Sequence, residues 1–251
     1  MPTSADSIAR GLHYLQRGAQ LIVKPQLRLF VLVPLLVNLG LFIIITGFLI
    51  QQFSGLLGIL LGWLPDWLDF ITVFLWAIFS ALIMFIYGYS FSILTNLIAA
   101  PFYGVLAEKT EELLTGEKLE AESLIKMVPR VLLRELVKIW YFIWRGVLLS
   151  LSLFILSFII PPISIVAPLI LFLWGAWCIC IQYIDYPADN HQTPFLKVRS
   201  ALGTQKYSSL GFGSLIMIGT MIPLANIFVM PIAVVGGTAF WVDELAEKSK
   251  I

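Results

Sequence analysis

Four stretches of this 251-residue chain carry no formal charge, and they constrain its fold more than any other feature. They cover residues 29–65, 70–107, 146–184 and 207–242, each 36 to 39 residues long. A soluble amphipathic helix of such length needs a charged face, so these are membrane segments rather than core helices. Composition agrees. Hydrophobic residues make up 59% of the chain and charged residues 12%, too few charges to cover a soluble fold of this size. A soluble enzyme, a disordered chain and a nucleic-acid-binding protein are excluded together. The chain reads as a single membrane domain, 1–251.

At about 1.5 Å per residue, a helix through a whole stretch would far exceed a hydrocarbon core of roughly 30 Å. Proline marks the expected breaks. The first stretch reads as a transmembrane helix over 26–53, with Pro34 tolerated in its first turns. Ser54-Gly55 follows, then a short interfacial run anchored by Trp63 and Trp67 beside Asp66. The second stretch reads as one crossing over 70–100, closing at Ala100-Pro101. Pro161-Pro162 and Pro168 divide the third into Gly146–Ile160 and Leu169–Ile184. Pro223 and Pro231 divide the fourth into Tyr207–Ile222 and Ile232–Val242. These half-length runs predict two hairpins, 146–184 and 207–242, that enter the bilayer and return through a proline-rich tip. Thin or tilted full spans are the alternative. The predicted fold is an all-α integral membrane protein. It has two long transmembrane helices, two Pro-broken half-penetrating helical hairpins and amphipathic interfacial helices.

With one crossing in each of the first two stretches, the N-terminal segment and residues 104–145 share a side. Either reading of the last two stretches returns the chain there. All sixteen Lys and Arg then face one way, and the positive-inside rule makes that face cytoplasmic. Residues 1–24 predict an amphipathic helix opening behind Ser4. Leu12, Leu15, Gln16, Ala19 and Ile22 recur on it at helical spacing, and it lies in the interface beside the first span. Residues 104–145 form charged cytoplasmic or interfacial helices. An acidic one ends at Thr115-Gly116; a second carries Lys126, Arg130, Arg134 and Lys138 four residues apart, with Trp140, Tyr141, Trp144 and Arg145 following. This basic stripe admits three readings: contact with anionic lipid, a funnel for an anion, or an ion-pair network closed by Glu135 and the acids upstream.

Equipment for catalysis within the membrane is missing from the sequence. His13 and His191 lie outside the uncharged stretches, and neither a Gly-x-Ser-Gly element nor a glycine loop with a phosphate-binding lysine occurs. Cys178 and Cys180 lack metal-ligand neighbours and read as small apolar residues, so no metal and no cofactor is expected. Arg28 follows Lys24-Pro25 where the first span begins. An early arginine on a proline-started helix suits an anion, because helix N-termini present unpaired N–H groups; a snorkelling interface arginine is the alternative. The run Asp185-Tyr186-Pro187-Ala188-Asp189-Asn190-His191 is the densest polar cluster beside an uncharged stretch, and reads also as a capped turn. Asn38, Asn96 and Asn226 are polar residues within apolar runs, able to line a path or bond across helices.

Several motifs together resemble the CysZ family of bacterial sulfate permeases. They are Asn96-Leu-Ile-Ala-Ala-Pro-Phe102 with Gly104 and Leu106-Ala-Glu108; Val128-Pro-Arg130 with Arg134-Glu135; Gln182-Tyr183 through Asp185-Tyr186-Pro187 and Asp189-Asn190-His191 to Pro194-Phe195; and Met221-Ile-Pro-Leu224 through Met230-Pro231 to Trp241-Val-Asp243. The likeness runs from about Gly11 to Asp243. It implies a multi-pass bacterial inner-membrane protein and homo-oligomer that conducts sulfate passively, like a channel, to supply cysteine biosynthesis. A non-transporting membrane scaffold, or an accessory subunit of another sulfate system, is the rival reading. The family also implies opposed insertion within one oligomer, against the one-sided charge derived above. Its sulfate motif is Gly-Leu-Arg, usually with a second Arg; here the residues are Gln26-Leu27-Arg28-Leu29. The resemblance therefore places sulfate at Arg28, Leu27 and Gln26, with Lys24 standing in for the second arginine. Glu108, Arg130, Arg134, Asp185, Asn190 and His191 are the expected ion path, the acids holding the arginines in place. The expected partners are sulfate, membrane lipid and further copies of the chain, with no nucleic acid.

Overall fold

The computed structural model describes residues 4–61, 70–119 and 123–248, and these are helical almost throughout. The elements are α1 (Ser4–Ile22), α2 (Pro25–Leu61), α3 (Phe70–Thr115), α4 (Leu124–Ile159), α5 (Ile163–Asn190), α6 (Phe195–Thr204), α7 (Lys206–Thr220) and α8 (Pro223–Phe240). A π-helical turn, Trp241–Leu245, follows α8 directly. No strand occurs among the described residues. The chain is an all-α membrane protein, as its uncharged stretches predict. The indole-anchored segment at Trp63, Asp66 and Trp67, and the side chains of Asn38, Asn96 and Asn226, lie outside the described residues.

Proline proves a weaker breaker than the sequence reading assumes. The two hairpin turns are confined to residues 160–162 and 221–222, at or just before the first proline of each expected tip. Pro101, Pro168 and Pro231 instead lie inside α3, α5 and α8. The helix expected to close at Ala100-Pro101 continues to Thr115. The expected breaks up to Pro168 and Pro231 do not form, since α5 begins at Ile163 and α8 at Pro223. One proline removes one helical hydrogen bond, which the turns around it can carry in a helix held by neighbours. Ser54-Gly55 does not end a helix either. The Ser54 hydroxyl donates to the Ile50 carbonyl one turn back, at 2.8 Å, and α2 runs on to Leu61. Hairpin arms are consequently longer than half-length: α4 has 36 residues and α5 has 28. By length and composition, Ile125–Ile159, Ile163–Asn190 and Phe228–Leu245 are each able to cross a membrane. Gly116, with φ +75°, closes α3 in the left-handed conformation, and its N–H donates to the Glu112 carbonyl.

The structure divides into two units, 1–31 with 100–251, and 32–99. Within the smaller, α2 and α3 meet through aromatic rings. Phe53 stacks on Phe79 and meets the Trp76 edge at 4.9 Å between centroids. Most other apolar side chains described there, such as Ile44, Phe48 and Phe74, are exposed as a lipid-facing surface would be.

In the larger unit, α1 packs against α7 and α8, which pack in turn against α5. The α1 face that does so differs from the one its leucines suggest. Gly11, Tyr14, Gly18 and Leu21 are buried, while Leu12 is 42% exposed and Gln16 and Ala19 are exposed too. Small residues permit this, because helices in lipid gain by close backbone approach rather than by burying leucine. A methyl added at Gly11 would come within 3.0 Å of the α7 backbone, and one at Gly18 within 3.0 Å of the α8 backbone. Gly213 of α7 lies equally tight against the Ala176 carbonyl of α5. Arg17 pairs with Asp243, and the Tyr14 hydroxyl donates to Glu244 at 2.8 Å, which ties α1 to the π-turn. Burial and the Glu244 carboxylate both push the Tyr14 phenol well above its ordinary value of 10.0.

Candidate functional site

The four-residue spacing of Arg130, Arg134 and Lys138 lays them along one face of α4, and that face meets α5. Gln182, Asp185, Tyr186 and Asp189 repeat the spacing on α5. Because the two helices run antiparallel, the rows interlock. Arg134 grips Asp185 as a fork, Nε to Oδ2 at 2.8 Å and Nη2 to Oδ1 at 2.6 Å, and its Nη1 donates to the Thr193 carbonyl at 2.7 Å. Arg130 pairs with the Asp189 carboxylate and donates to its carbonyl at 2.8 Å. Lys138 lies 2.6 Å from Glu135 and 3.2 Å from Asp185, and 4.7 Å over the Tyr186 ring. Gln182 donates to Glu135 at 3.0 Å.

The side chains of Lys138 and Asp185 are each only 1% exposed. Ions so buried persist only if paired and hydrogen-bonded, and here three cations (Arg130, Arg134, Lys138) face three carboxylates (Glu135, Asp185, Asp189). The ladder is neutral. Of the three readings of the stripe, the ion-pair network is the one this geometry matches in part. Glu135 belongs to it, but among the described residues its other carboxylates are Asp185 and Asp189 on α5. The upstream acids Glu108, Glu111 and Glu112 instead contact Lys109 and His191. Lys126 and Arg145, at the two ends of the row, are exposed.

The other residues of the expected path lie around the ladder. Asn190 donates to the Gly104 carbonyl at 2.9 Å, joining the end of α5 to α3. His191 Nε2 lies 2.7 Å from Glu111 Oε1. Glu108 contacts Lys109 at 3.4 Å rather than an arginine, so it does not hold the stripe. Lys109 also bonds Glu112 at 2.8 Å, which holds the Glu112 carboxyl below its ordinary range and raises the Lys109 ammonium. Asp189, Lys138, Gln182 and Tyr186 complete the ladder but are not among the expected path residues. Their matching spacing on two helices joined by one tight turn is the signal that points to them.

The expected sulfate residues sit apart in sequence, where α1 gives way to α2. Pro25 opens α2, Leu27 is wholly buried, and Lys24, Gln26 and Arg28 are exposed. Arg28 Nε donates to the Val23 carbonyl at 2.8 Å, satisfying a group just past the C-terminus of α1. The Leu27 amide donates to the Lys24 carbonyl at 3.0 Å. Among the described residues, no group of three or more His, Cys, Asp and Glu is placed to hold a metal ion.

Comparison with known proteins bears on the chain as a whole. Residues 14–231 match the family described as Sulfate transporter CysZ/Etoposide-induced protein 2.4. A sulfate transporter CysZ of Pseudomonas paraeruginosa is 40% identical over 245 residues, 96% of this chain and 98% of the relative. That of Pseudomonas fluorescens is 43% identical over 241 residues, 94% of each chain. That of Salmonella typhimurium is 41% identical over 248 residues, 97% of this chain and 96% of its own. These descriptions name transport and no catalysis. With a family match over most of its length and relatives this similar end to end, the chain belongs to the Sulfate transporter CysZ/Etoposide-induced protein 2.4 family.

Proposed function

We propose that this protein carries sulfate across the bacterial inner membrane as a passive, channel-like pathway that supplies cysteine biosynthesis. The observation that carries this reading is the near-full-length similarity to proteins named as sulfate transporters. A multi-pass inner-membrane location and assembly into homo-oligomers belong to the same reading.

Sulfate meets the protein at the α1–α2 junction. Arg28 and Lys24 are exposed there beside the N-terminus of α2, where charge-assisted donors and the helix dipole both favour an anion. Gln26 stands where the family has glycine, so its side-chain amide replaces a close backbone approach. The site must also release its ion, and two cations joined to no carboxylate among the described residues suit weak binding. The neutral ladder has a different part. Its arginines are spent on Asp185 and Asp189, and it holds the base of the α4–α5 hairpin in register along the path.

Radiolabelled sulfate uptake into proteoliposomes containing only this protein tests the proposal. Uptake without ATP or an imposed gradient of another ion, lost in Arg28→Ala and weakened in Lys24→Ala, is the expected result. No uptake by correctly inserted protein would transfer the weight to the scaffold or accessory-subunit reading. Equal uptake by wild type and Arg28→Ala would remove sulfate from the α1–α2 junction.

A further inference from the structure

Another pair of arginines, near the same end of the hairpin, is arranged unlike the ladder. The Arg199 guanidinium of α6 lies 4.2 Å over the Tyr141 ring of α4, with the Phe195 ring at 5.8 Å. Its Nε is shut off from solvent and has no hydrogen-bond partner among the described residues. Arg145 follows Tyr141 by four residues, so it leaves α4 on the same face one turn further along, and it is exposed. Among the described residues, neither arginine is paired with a carboxylate, whereas every ladder cation is.

Their level on α4 matters. Gly146 opens the uncharged stretch, so Arg145 is the last cation before the apolar half of the helix. Trp140 and Trp144 stack 6.3 Å apart at that level and are 67% and 57% exposed. Immediately beyond, Val147, Leu148 and Leu151 are exposed, and a shallow apolar groove runs along Phe142, Gly146, Ser150 and Phe154. The two cations and the exposed indoles thus share one level of the molecule, and bare aliphatic surface follows beyond it along α4, as headgroup-level anchors and acyl-chain contact would.

We propose that Arg145 and Arg199 hold the phosphodiester of an anionic phospholipid whose acyl chains lie along the exposed apolar face of α4 above Gly146. Stacking on Tyr141 fixes the plane of the Arg199 guanidinium and leaves its terminal Nη donors for a phosphate, the buried Nε excepted. A free oxyanion would use the arginines alone; a phospholipid uses the indoles and the groove as well. The proposal does not depend on sulfate transport, and its readout is lipid occupancy rather than flux.

Native mass spectrometry of the full chain in detergent, titrated with phosphatidylglycerol or phosphatidylcholine of the same acyl composition, is the test. Wild type is expected to retain phosphatidylglycerol preferentially. Arg145→Gln and Arg199→Gln should each lower that occupancy about fivefold, the scale set by one cation at an anionic surface. Millimolar sulfate should leave the lipid in place. Equal occupancy by the two lipids on wild type would overturn the proposal without recourse to any variant. An unchanged preference in the double variant would also overturn it. Displacement of the lipid by sulfate would reassign the arginines to a free oxyanion and sink the lipid reading.

Discussion

The α4–α5 hairpin and the α1–α7–α8 group solve the same problem by opposite means. Both must hold helices together where leucine gains little by leaving lipid. At its base the hairpin uses charge, with Arg134 forked onto Asp185 and Lys138 sealed between Glu135 and Asp185. The α1 group uses closeness, with Gly11 and Gly18 pressed against the backbones of α7 and α8. Paired charges fix register, because sliding α4 against α5 draws Arg134 and Lys138 away from Asp185. Close backbones fix distance, because a single methyl forces the helices apart. The first device fails when one member is lost, and the second when one atom is added.

Substitutions at each device separate the two. The largest effect is expected from Asp185→Asn, which keeps the shape and strands Arg134 and Lys138 in a buried place. A loss of ~3–5 kcal/mol should appear as a large fall in Tm in detergent. Gly213→Ala comes next, at ~1–3 kcal/mol, because its methyl would come within 3.0 Å of the Ala176 carbonyl. Should that variant match wild type, distance is not what the α5–α7 contact fixes. Tyr14→Phe should cost about 1 kcal/mol at neutral pH by removing the hydrogen bond to Glu244.

The same tyrosine gives a pH signature. Its folded-state value is raised above 10.0, so its contribution is complete below that pH and is lost as pH rises through the folded value. Wild-type thermal stability should therefore fall above pH 10 more steeply than that of Tyr14→Phe, which scans between neutral and alkaline pH would resolve. The smallest effect is a control. An added methyl at Gly203 meets nothing within 4 Å, so Gly203→Ala in α6 should be neutral or stabilising by about 0.5–1 kcal/mol. A loss there would mean that α6 glycine also serves closeness.

The helical content and both hairpin turns could be read from the sequence, because uncharged length and the Pro161-Pro162 and Pro223 positions carry physical consequences by themselves. Pro101, Pro168 and Pro231 were over-read, since whether one lost hydrogen bond ends a helix depends on neighbours the local sequence does not show. The packing face of α1 was not legible for a related reason. In water, Leu12 would mark the core; in lipid, Gly11 and Gly18 do. At the candidate site, Arg130, Arg134 and Asp185 stand out on residue type, but the pairing of cation with carboxylate needs the register of α4 against α5. That register is set by the turn at 160–162 and by side chains on both arms. The expectation that Glu108 steadies the arginines fails on the same ground, because α3 presents it to Lys109.

The position of α1 also has a consequence in time. The helix is made before its docking surface, which belongs to α7, α8 and the π-turn. At about 5–20 residues per second, the intervening chain takes on the order of 10–45 s to appear. Throughout that interval the glycine face has nothing to receive it, while Leu12 on the other side can already rest on the membrane surface. Assembly of the larger unit therefore waits until the later segment clasps the earlier one, Arg17 to Asp243 and Tyr14 to Glu244. A chain cut short before α7 would leave α1 unmoored.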